Sequence, residues 1–149
     1  GIIVEGLSNC LVKFSKCCSP VPGDDIVGFI TRGYGVSVHR ADCPNVLRSR
    51  DNPAEAGRWI RVSWADKTSE EYHTMLQVVA KDRISLIVDV STVLSATKTR
   101  VLSLNARSTP DGFALLDLGI AVSGRDQLKT VTSRLEQIQG VMKVTRPAG

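Results

Sequence analysis

Apolar residues in the second half of the chain follow two periods in a fixed order. Alternating or continuous apolar segments predict strands, and apolar residues three or four positions apart predict helices. Strands are predicted over residues 72–80, 101–108, 113–122 and 141–146, and helices over residues 85–97 and after Ser123. The order β-α-β-β-α-β is that of the ferredoxin-like sandwich, in which two helices lie on one face of four antiparallel strands.

Turn and cap residues separate these elements. Residues 109–112 (TPDG) have the composition of a hairpin turn. Ser123 and Asp126 match a capping box, and Gly140 is placed to end the second helix. The apolar positions expected on one face of that helix are Leu128, Val131, Leu135 and Ile138. Those expected on one face of the third strand are Leu116, Leu118, Ile120 and Val122.

The first half of the chain shows short strand patterns separated by glycine and proline turns. Strands are predicted over residues 11–14, 26–31, 36–39 and 58–64, turns over 20–23 and 32–35, and a short helix over 44–50. The polar segment 65–71 (ADKTSEE) separates the two patterns. We therefore predict an α+β protein of two domains, a small β-rich cysteine module over residues 1–65 and a ferredoxin-like domain over residues 66–149.

Composition places the chain among globular proteins of the cytoplasm. Of its 149 residues, 42% are hydrophobic and 23% are charged, and no apolar run reaches the ~18 residues of a membrane span. The first residues, GIIVEGLSN, carry no signal-peptide pattern and read as the interior of a longer chain. In a reducing compartment, cysteines are expected as thiols or metal ligands and not as disulfides.

Four residues of types that bind metals lie close together in the sequence. Cys17, Cys18, His39 and Cys43 fall within 27 positions, and zinc takes four such ligands in a tetrahedron. Adjacent side chains of an extended strand point to opposite faces, so both cysteines reach one ion only if a turn bends the chain there. The alternative is three small buried thiols and a surface histidine. Cys10 is expected in the core.

Basic residues of the first module suggest a nucleic-acid partner. Net charge is +4, and six arginines and no lysine lie between positions 32 and 61. The candidate phosphate contacts are Lys13, Lys16, Arg32, Arg40, Arg48 and Arg50, and Tyr34 is a candidate to stack on an RNA base. The alternative is a solvated surface with local ion pairs. With two histidines and no phosphate-binding or nucleophile motif, the chain is not expected to carry its own catalytic site.

The segment CCSPVPGDDIVGFITRGYGVSVHRADCPN, residues 17–45, closely resembles the conserved-cysteine or zinc-finger-like module of long Rel/SpoT proteins. These bacterial enzymes make and hydrolyse the alarmone (p)ppGpp, and an ACT domain follows the module. The matching signature residues are Cys17, Cys18, His39, Asp42 and Cys43. The resemblance implies that catalytic domains lie upstream of this chain. It also implies that this end docks the protein on the ribosome through ribosomal RNA. When the protein is not on the ribosome, the same end is expected to restrain the catalytic half.

The ACT resemblance implies a small-molecule site at the start of the first helix of the second domain. ACT domains often bind amino acids at a D-R-x-G-L pattern, frequently across a dimer interface. The matching residues are Asp82, Arg83, Ile84, Ser85 and Leu86, with Ser85 in place of the glycine. Because serine narrows the approach to the backbone N–H groups, the resemblance allows a branched-chain amino acid at this site, and also a homodimer, but requires neither. The alternative, which we favour, is an ordinary N-capped start of a helix.

Overall fold

The computed structural model describes residues 2–6, 10–33, 35–65 and 71–147. They form two compact units, here called unit 1 (the described residues before position 66) and unit 2 (Glu71–Pro147). No helix within these ranges is long and apolar enough to cross a membrane.

Unit 1 consists of short strands and one short helix. Its elements are β1 (Ile2–Val4), β2 (Val12–Phe14), β3 (Ile26–Thr31), β4 (Gly35–Arg40), α1 (Pro44–Arg50), β5 (Trp59–Ile60) and β6 (Val62–Trp64), with one 3-10 turn over Ala56–Arg58. Four strands form a sheet in the order β2-β4-β3-β5, and β1 pairs with β6 in a separate ribbon. The β2–β4 pair is parallel, and the other pairs are antiparallel.

The single strand predicted over residues 58–64 is wrong. β5 pairs with Gly28 and Phe29 of β3. The chain then leaves that sheet at Arg61, and β6 pairs with β1, a strand that the sequence pattern did not predict. The alternation of apolar residues continues across the break, because both pieces bury one side against the same core. The pattern therefore gives no sign that the strand partner changes.

Two small apolar clusters hold unit 1 together. One contains Val4, Val36 and Val38, with Ile60 and Val62 packed against them. The absence of a side chain at Gly28 allows this packing, since a Cβ there would lie 2.7 Å from Val62 Cγ1. The second cluster contains Cys18, Cys43 and Val46, so it lies where α1 meets the strands and includes half of the predicted metal ligands.

Unit 2 has the predicted β-α-β-β-α-β order, so the ferredoxin-like fold is confirmed. Its elements are β7 (Tyr72–Lys81), α2 (Leu86–Ala96), β8 (Arg100–Ser108), β9 (Phe113–Val122), α3 (Arg125–Glu136) and β10 (Val141–Thr145). The strands form one antiparallel sheet in the order β10-β7-β9-β8. The four residues predicted to share a face of β9 are all buried, as are Leu128, Val131 and Leu135 of α3.

The predicted capping box of α3 is wrong by one residue. The residue that caps the helix is Gly124, so the third residue of the helix is Gln127 and not Asp126. The Gln127 Oε1 atom accepts hydrogen bonds from the Ser123 backbone N at 2.8 Å and the Ser123 Oγ at 3.1 Å. The helix ends at Glu136, and Gly140 then adopts a φ of +90° immediately before β10.

Candidate metal centre

Three elements of unit 1 bring the predicted ligands together. Cys17 and Cys18 lie in the turn that follows β2, His39 is the fifth residue of β4, and Cys43 directly precedes α1. The parallel pairing of β2 with β4 places the end of β2 beside Val38, and so beside His39. Pro44 then starts α1, because its missing N–H is not needed in a first helical turn.

A turn at Cys17 and Cys18 allows both adjacent side chains to reach one site. The backbone N of Ser19 donates to Ser15 O at 3.0 Å, which closes a five-residue turn around Cys17 and Cys18. Ser19 has a φ of +47°, so the chain reverses immediately after the pair. Because this backbone is not extended, the two side chains are not forced to opposite faces.

The four ligand atoms have the spacing of a tetrahedral site. Cys17 Sγ lies 3.9 Å from Cys18 Sγ, 3.5 Å from Cys43 Sγ and 3.4 Å from His39 Nδ1. Cys18 Sγ lies 3.9 Å from the same imidazole nitrogen, and all four atoms lie within 4.8 Å of one another. Ligands at zinc's usual bond lengths in a tetrahedron are about 3.5–3.8 Å apart. The donor set and its spacing therefore fit a structural zinc site.

Neighbouring groups hold these ligands in place. The Ser37 hydroxyl lies 3.4 Å from His39 Nε2, the ring nitrogen that points away from the cysteines. The Arg40 backbone N donates to Cys18 Sγ at 3.3 Å, and the Ser15 hydroxyl lies 3.0 Å from Cys17 Sγ. Hydrogen bonds of this kind fix a metal-binding histidine in one orientation and stabilise thiolate charge. The sequence pattern gave no signal for Ser15 and Ser37, although each lies two residues from a predicted ligand.

Burial and hydrogen bonding give the ligands unequal acidity. Burial opposes ionisation of Cys17, but hydrogen bonds with Ser15 and Asn45, among others, outweigh it, so the pKa of Cys17 lies below its ordinary value. Burial, reinforced by the charge of the neighbouring thiols, raises the pKa of Cys18 to about 12. Burial also lowers the pKa of His39, which favours the neutral imidazole. A neutral imidazole and an ionised thiol are the states in which these groups bind zinc.

One tryptophan covers the site. The Trp59 ring packs against the cysteine cluster and meets the His39 ring edge-on, with centroids 5.7 Å apart. Its Nε1 donates to the Ser49 hydroxyl at 3.2 Å, which fixes the indole against α1. The sequence pattern placed Trp59 in a strand, but it contained no signal for this contact.

Asp42, the fifth signature residue, lies outside the cluster. Its side chain is 77% exposed and accepts a hydrogen bond from Arg40 Nε at 3.0 Å. The backbone N of the same arginine donates to Cys18 Sγ. Asp42 therefore acts on the cluster indirectly, by fixing Arg40.

Comparison with known proteins assigns both units. The RelA/SpoT RIS domain matches residues 2–65, and the ACT domain matches residues 68–146. The GTP pyrophosphokinase of Escherichia coli (strain K12) is 38% identical over 149 residues, which is 99% of this chain. The chain belongs to the RelA/SpoT family. The match lies in the C-terminal region of these proteins, and the chain spans about a fifth of the length of the curated relatives it matches.

Two further relatives show the same extent of similarity. The GTP pyrophosphokinase of Streptomyces coelicolor is 38% identical over 146 residues, covering 98% of this chain and 17% of the relative. The bifunctional (p)ppGpp synthase/hydrolase RelA of Mycobacterium tuberculosis is 37% identical over 146 residues, covering 98% and 19%. Among solved structures, the ACT domain from the GTP pyrophosphokinase of Chlorobium tepidum has a TM-score of 0.47 and 25% identity. That comparison covers 52% of this chain and 99% of that chain.

Most of the predicted RNA-contacting cations of the RIS domain are exposed. Lys13, Lys16, Arg32, Arg48 and Arg50 all lie at the surface. Arg48 donates to the side chain of Asn45 within α1. Tyr34, the predicted stacking residue, lies outside the described residues.

Arg40 differs from the other predicted cations. It is buried, and its guanidinium is paired with Asp42. A side chain held in this way is not placed to contact a phosphate, in contrast to the exposed arginines of the same domain.

The ACT domain places the predicted amino-acid site at the start of α2. Arg83 is engaged within the chain, since it donates to Gln139 O at 3.0 Å and to Asp89 at 2.6 Å. The carboxylate of Asp82 accepts a hydrogen bond from the Ser108 hydroxyl at 2.7 Å. Of the other three predicted residues, Ile84 is exposed and Leu86 is buried, and Ser85 begins the helix.

Ser85 occupies the position that the ACT resemblance assigns to glycine, and its backbone has the left-handed φ of +72°. Glycine adopts this conformation without strain. The Ser85 side chain makes no capping hydrogen bond, so α2 does not begin with an ordinary serine cap. Binding of an amino acid at this loop stays a prediction.

Proposed function

We propose that this chain is a regulatory segment that docks a longer (p)ppGpp-metabolising protein on ribosomal RNA through its RIS domain. In this proposal, docking releases the restraint that the segment places on upstream catalytic domains of the same chain. The catalytic domains, their substrates and the cytoplasmic setting are inferred from relatives named GTP pyrophosphokinase and (p)ppGpp synthase/hydrolase.

The docking proposal rests on the exposure of three arginines in the RIS domain and on their lack of ion pairs. Arg32, Arg48 and Arg50 are exposed, and none forms an ion pair with a carboxylate of the described residues. Arginines whose charge is not neutralised by the protein are available to phosphate groups, which they bind in a bidentate manner. The alternative of a surface with local ion pairs receives no support at these three positions.

We further propose that zinc, held by Cys17, Cys18, His39 and Cys43, is the structural support of this RNA-binding surface. The cluster connects β2, β4 and α1 in a unit whose strands have at most six residues. Domains of this size have small apolar cores and often depend on a metal for stability. Zinc would supply cross-links among these elements and would take no part in a reaction.

Reversing a surface charge of the RIS domain is expected to weaken ribosome binding. Arg32→Glu or Arg48→Glu should lower affinity about tenfold at low salt and reduce the dependence of log K on log salt by about one. Co-sedimentation of the chain with ribosomes over a range of salt concentrations measures both quantities.

Arg125→Glu is the matched control for this experiment. Arg125 is exposed at the start of α3 in the ACT domain, where an acidic residue suits the helix dipole. This variant should bind ribosomes as the unchanged chain does. Binding that does not depend on salt, or an equal loss in the control, contradicts docking through the RIS domain.

A homodimer through the edge of the ACT sheet is a second candidate function. All nine residues of β8 are exposed, and three of them are large apolar residues: Val101, Leu102 and Leu104. A long edge strand with exposed apolar side chains is a site at which a second chain can pair.

Leu104→Lys is therefore expected to convert a dimer to a monomer, because a charge on an edge strand opposes strand pairing. Sedimentation velocity over a wide concentration range measures the change. Leu47→Lys, at an exposed apolar position of α1 in the RIS domain, should leave the dimer intact. If the unchanged chain stays monomeric throughout the range, the dimer proposal is wrong.

A further inference from the structure

A groove of about 640 Å³ opens on the surface of the RIS domain, apart from the metal ligands. Its walls come from β1, β3, β5 and β6 and from the end of α1. The apolar residues that line it include Ile26, Val27, Trp59, Ile60 and Val62. Three charged side chains also line it, those of Glu5, Arg50 and Arg61.

The groove exists because the chain changes strand partner at Arg61. β5 covers only Gly28 and Phe29 of β3. The next residues turn away to form β6, so Ile26 and Val27 have no strand partner on this side. The Glu5 backbone N donates to Arg61 O at 3.1 Å, which holds these two charged residues side by side along the groove.

The lining combines an apolar wall with positive charge. Trp59 is fixed by its hydrogen bond to Ser49 and by the edge of Phe29, whose ring centroid is 4.7 Å away. Arg50 and Arg61 are exposed, and neither forms an ion pair with a described carboxylate. Apolar and aromatic surfaces receive unstacked bases, and arginines receive the phosphates beside them.

We propose that this groove binds one unstacked nucleotide of RNA whose base carries an exocyclic amine. The base lies against the apolar wall, Arg50 and Arg61 contact its flanking phosphates, and the Glu5 carboxylate accepts a hydrogen bond from the amine. This inference rests on the proposed docking to RNA and specifies a contact within it. Arg61 and Glu5 thereby gain roles that the sequence pattern did not indicate.

An added peptide strand suits the groove less well. Strand addition requires a free edge along which several main-chain hydrogen bonds form. The free edge of β3 in this groove spans two residues, Ile26 and Val27, whereas strands usually have about five or six residues. The two arginines that line the groove, Arg50 and Arg61, also favour a ligand with closely spaced negative charges, as an RNA backbone has.

Oligocytidylate and oligouridylate of equal length test the inference, because cytosine has an amine where uracil has a carbonyl oxygen. Fluorescence anisotropy with the 149-residue chain should show at least about fivefold tighter binding of the cytidine oligomer. Glu5→Gln should bring the ratio of the two affinities close to one. Equal affinity of the unchanged chain for both oligomers overturns the assignment.

Two arginine variants test the phosphate contacts. Arg50→Gln and Arg61→Gln should each weaken binding of the cytidine oligomer about tenfold, whereas Arg125→Gln in the ACT domain should leave it unchanged. In a Trp64→Phe background, the oligomer should also quench the fluorescence of Trp59, the tryptophan that lines the groove. Binding without quenching places the RNA elsewhere and contradicts the inference.

The outcomes separate the groove from docking as a whole. If Arg50→Gln and Arg61→Gln match the Arg125→Gln control while Arg32→Glu still weakens ribosome binding, the groove assignment is overturned and docking stands. If the unchanged chain binds neither ribosomes nor oligonucleotides, docking fails and the groove assignment fails with it.

Discussion

Cys43→Ser is expected to abolish binding of one zinc ion per chain and to destabilise unit 1. Cys43 is fully buried, and its thiol lies 3.5 Å from Cys17 Sγ in the four-ligand cluster. Loss of a ligand removes much of the metal-binding free energy, which in small zinc domains is also folding free energy. We expect a loss of about 3 kcal/mol or more, equivalent to roughly 15 °C for a unit of this size.

Both tryptophans of the chain, Trp59 and Trp64, lie in unit 1, so their fluorescence follows the unfolding of that unit alone. Metal content of the purified chain gives the stoichiometry. Cobalt in place of zinc should give the visible absorption of a tetrahedral thiolate site, and Cys43→Ser should remove it.

Cys10→Ser is the control for this prediction. Cys10 is a half-buried free cysteine that packs against the valine cluster and is not part of the ligand group. The Cys10→Ser variant should keep its full zinc content and most of its stability. A chain purified without zinc, or a Cys43→Ser variant as stable as Cys10→Ser, would show that the four residues form a packed thiol cluster.

Gly35→Ala is the second substitution with a large expected effect. Gly35 has a φ of +135°, and a Cβ at this position would lie 2.2 Å from the backbone O of Leu11. That oxygen accepts a hydrogen bond from Val36 N at 2.8 Å, at the start of the β2–β4 pairing. The alanine strains the backbone and separates these strands. We expect a loss of roughly 3 kcal/mol, from about 1–3 kcal/mol of strain and about 1 kcal/mol for the hydrogen bond.

Two other glycines separate the contribution of backbone strain from that of the steric clash. Gly33 has a φ of +99° but open space around its missing side chain, so Gly33→Ala measures backbone strain without a clash. Gly57 has open space and no positive φ, and its replacement by alanine should change stability by less than about 0.5 kcal/mol. Denaturant unfolding followed by tryptophan fluorescence ranks the three variants. If Gly35→Ala is as stable as Gly33→Ala, the clash adds nothing to the backbone strain, and β2 must move aside without a cost in stability.

Elements marked by local signals were predictable from the sequence. The bounds of β3 and α1 agree with the predicted 26–31 and 44–50, because glycine or proline residues mark where these elements start or stop. The split between β5 and β6 was not predictable. It depends on pairing with β1, more than 50 positions away in the sequence, and nothing near Arg61 indicates a change of partner.

The candidate site was predictable in its ligands but not in its surroundings. Cysteine and histidine are recognisable from their chemistry, and the spacing of Cys17, Cys18, His39 and Cys43 was enough to group them. The position of Trp59 over the site and the burial of Arg40 depend on tertiary packing, which has no counterpart in the sequence pattern. Arg40 was therefore grouped with the exposed arginines on charge alone.

The pairing of Ile2 with Trp64 has a mechanical consequence for unit 1. Opposite residues in an antiparallel pair are about 5 Å apart, so the polypeptide enters and leaves this unit at nearly the same point. Tension applied to the two ends of unit 1 acts on the β1–β6 ribbon and breaks its three residue pairs one after another. The four-stranded sheet and the cysteine–histidine cluster carry little of that load until the ribbon has opened. Unit 1 therefore gives up its ribbon first when its two ends are pulled apart.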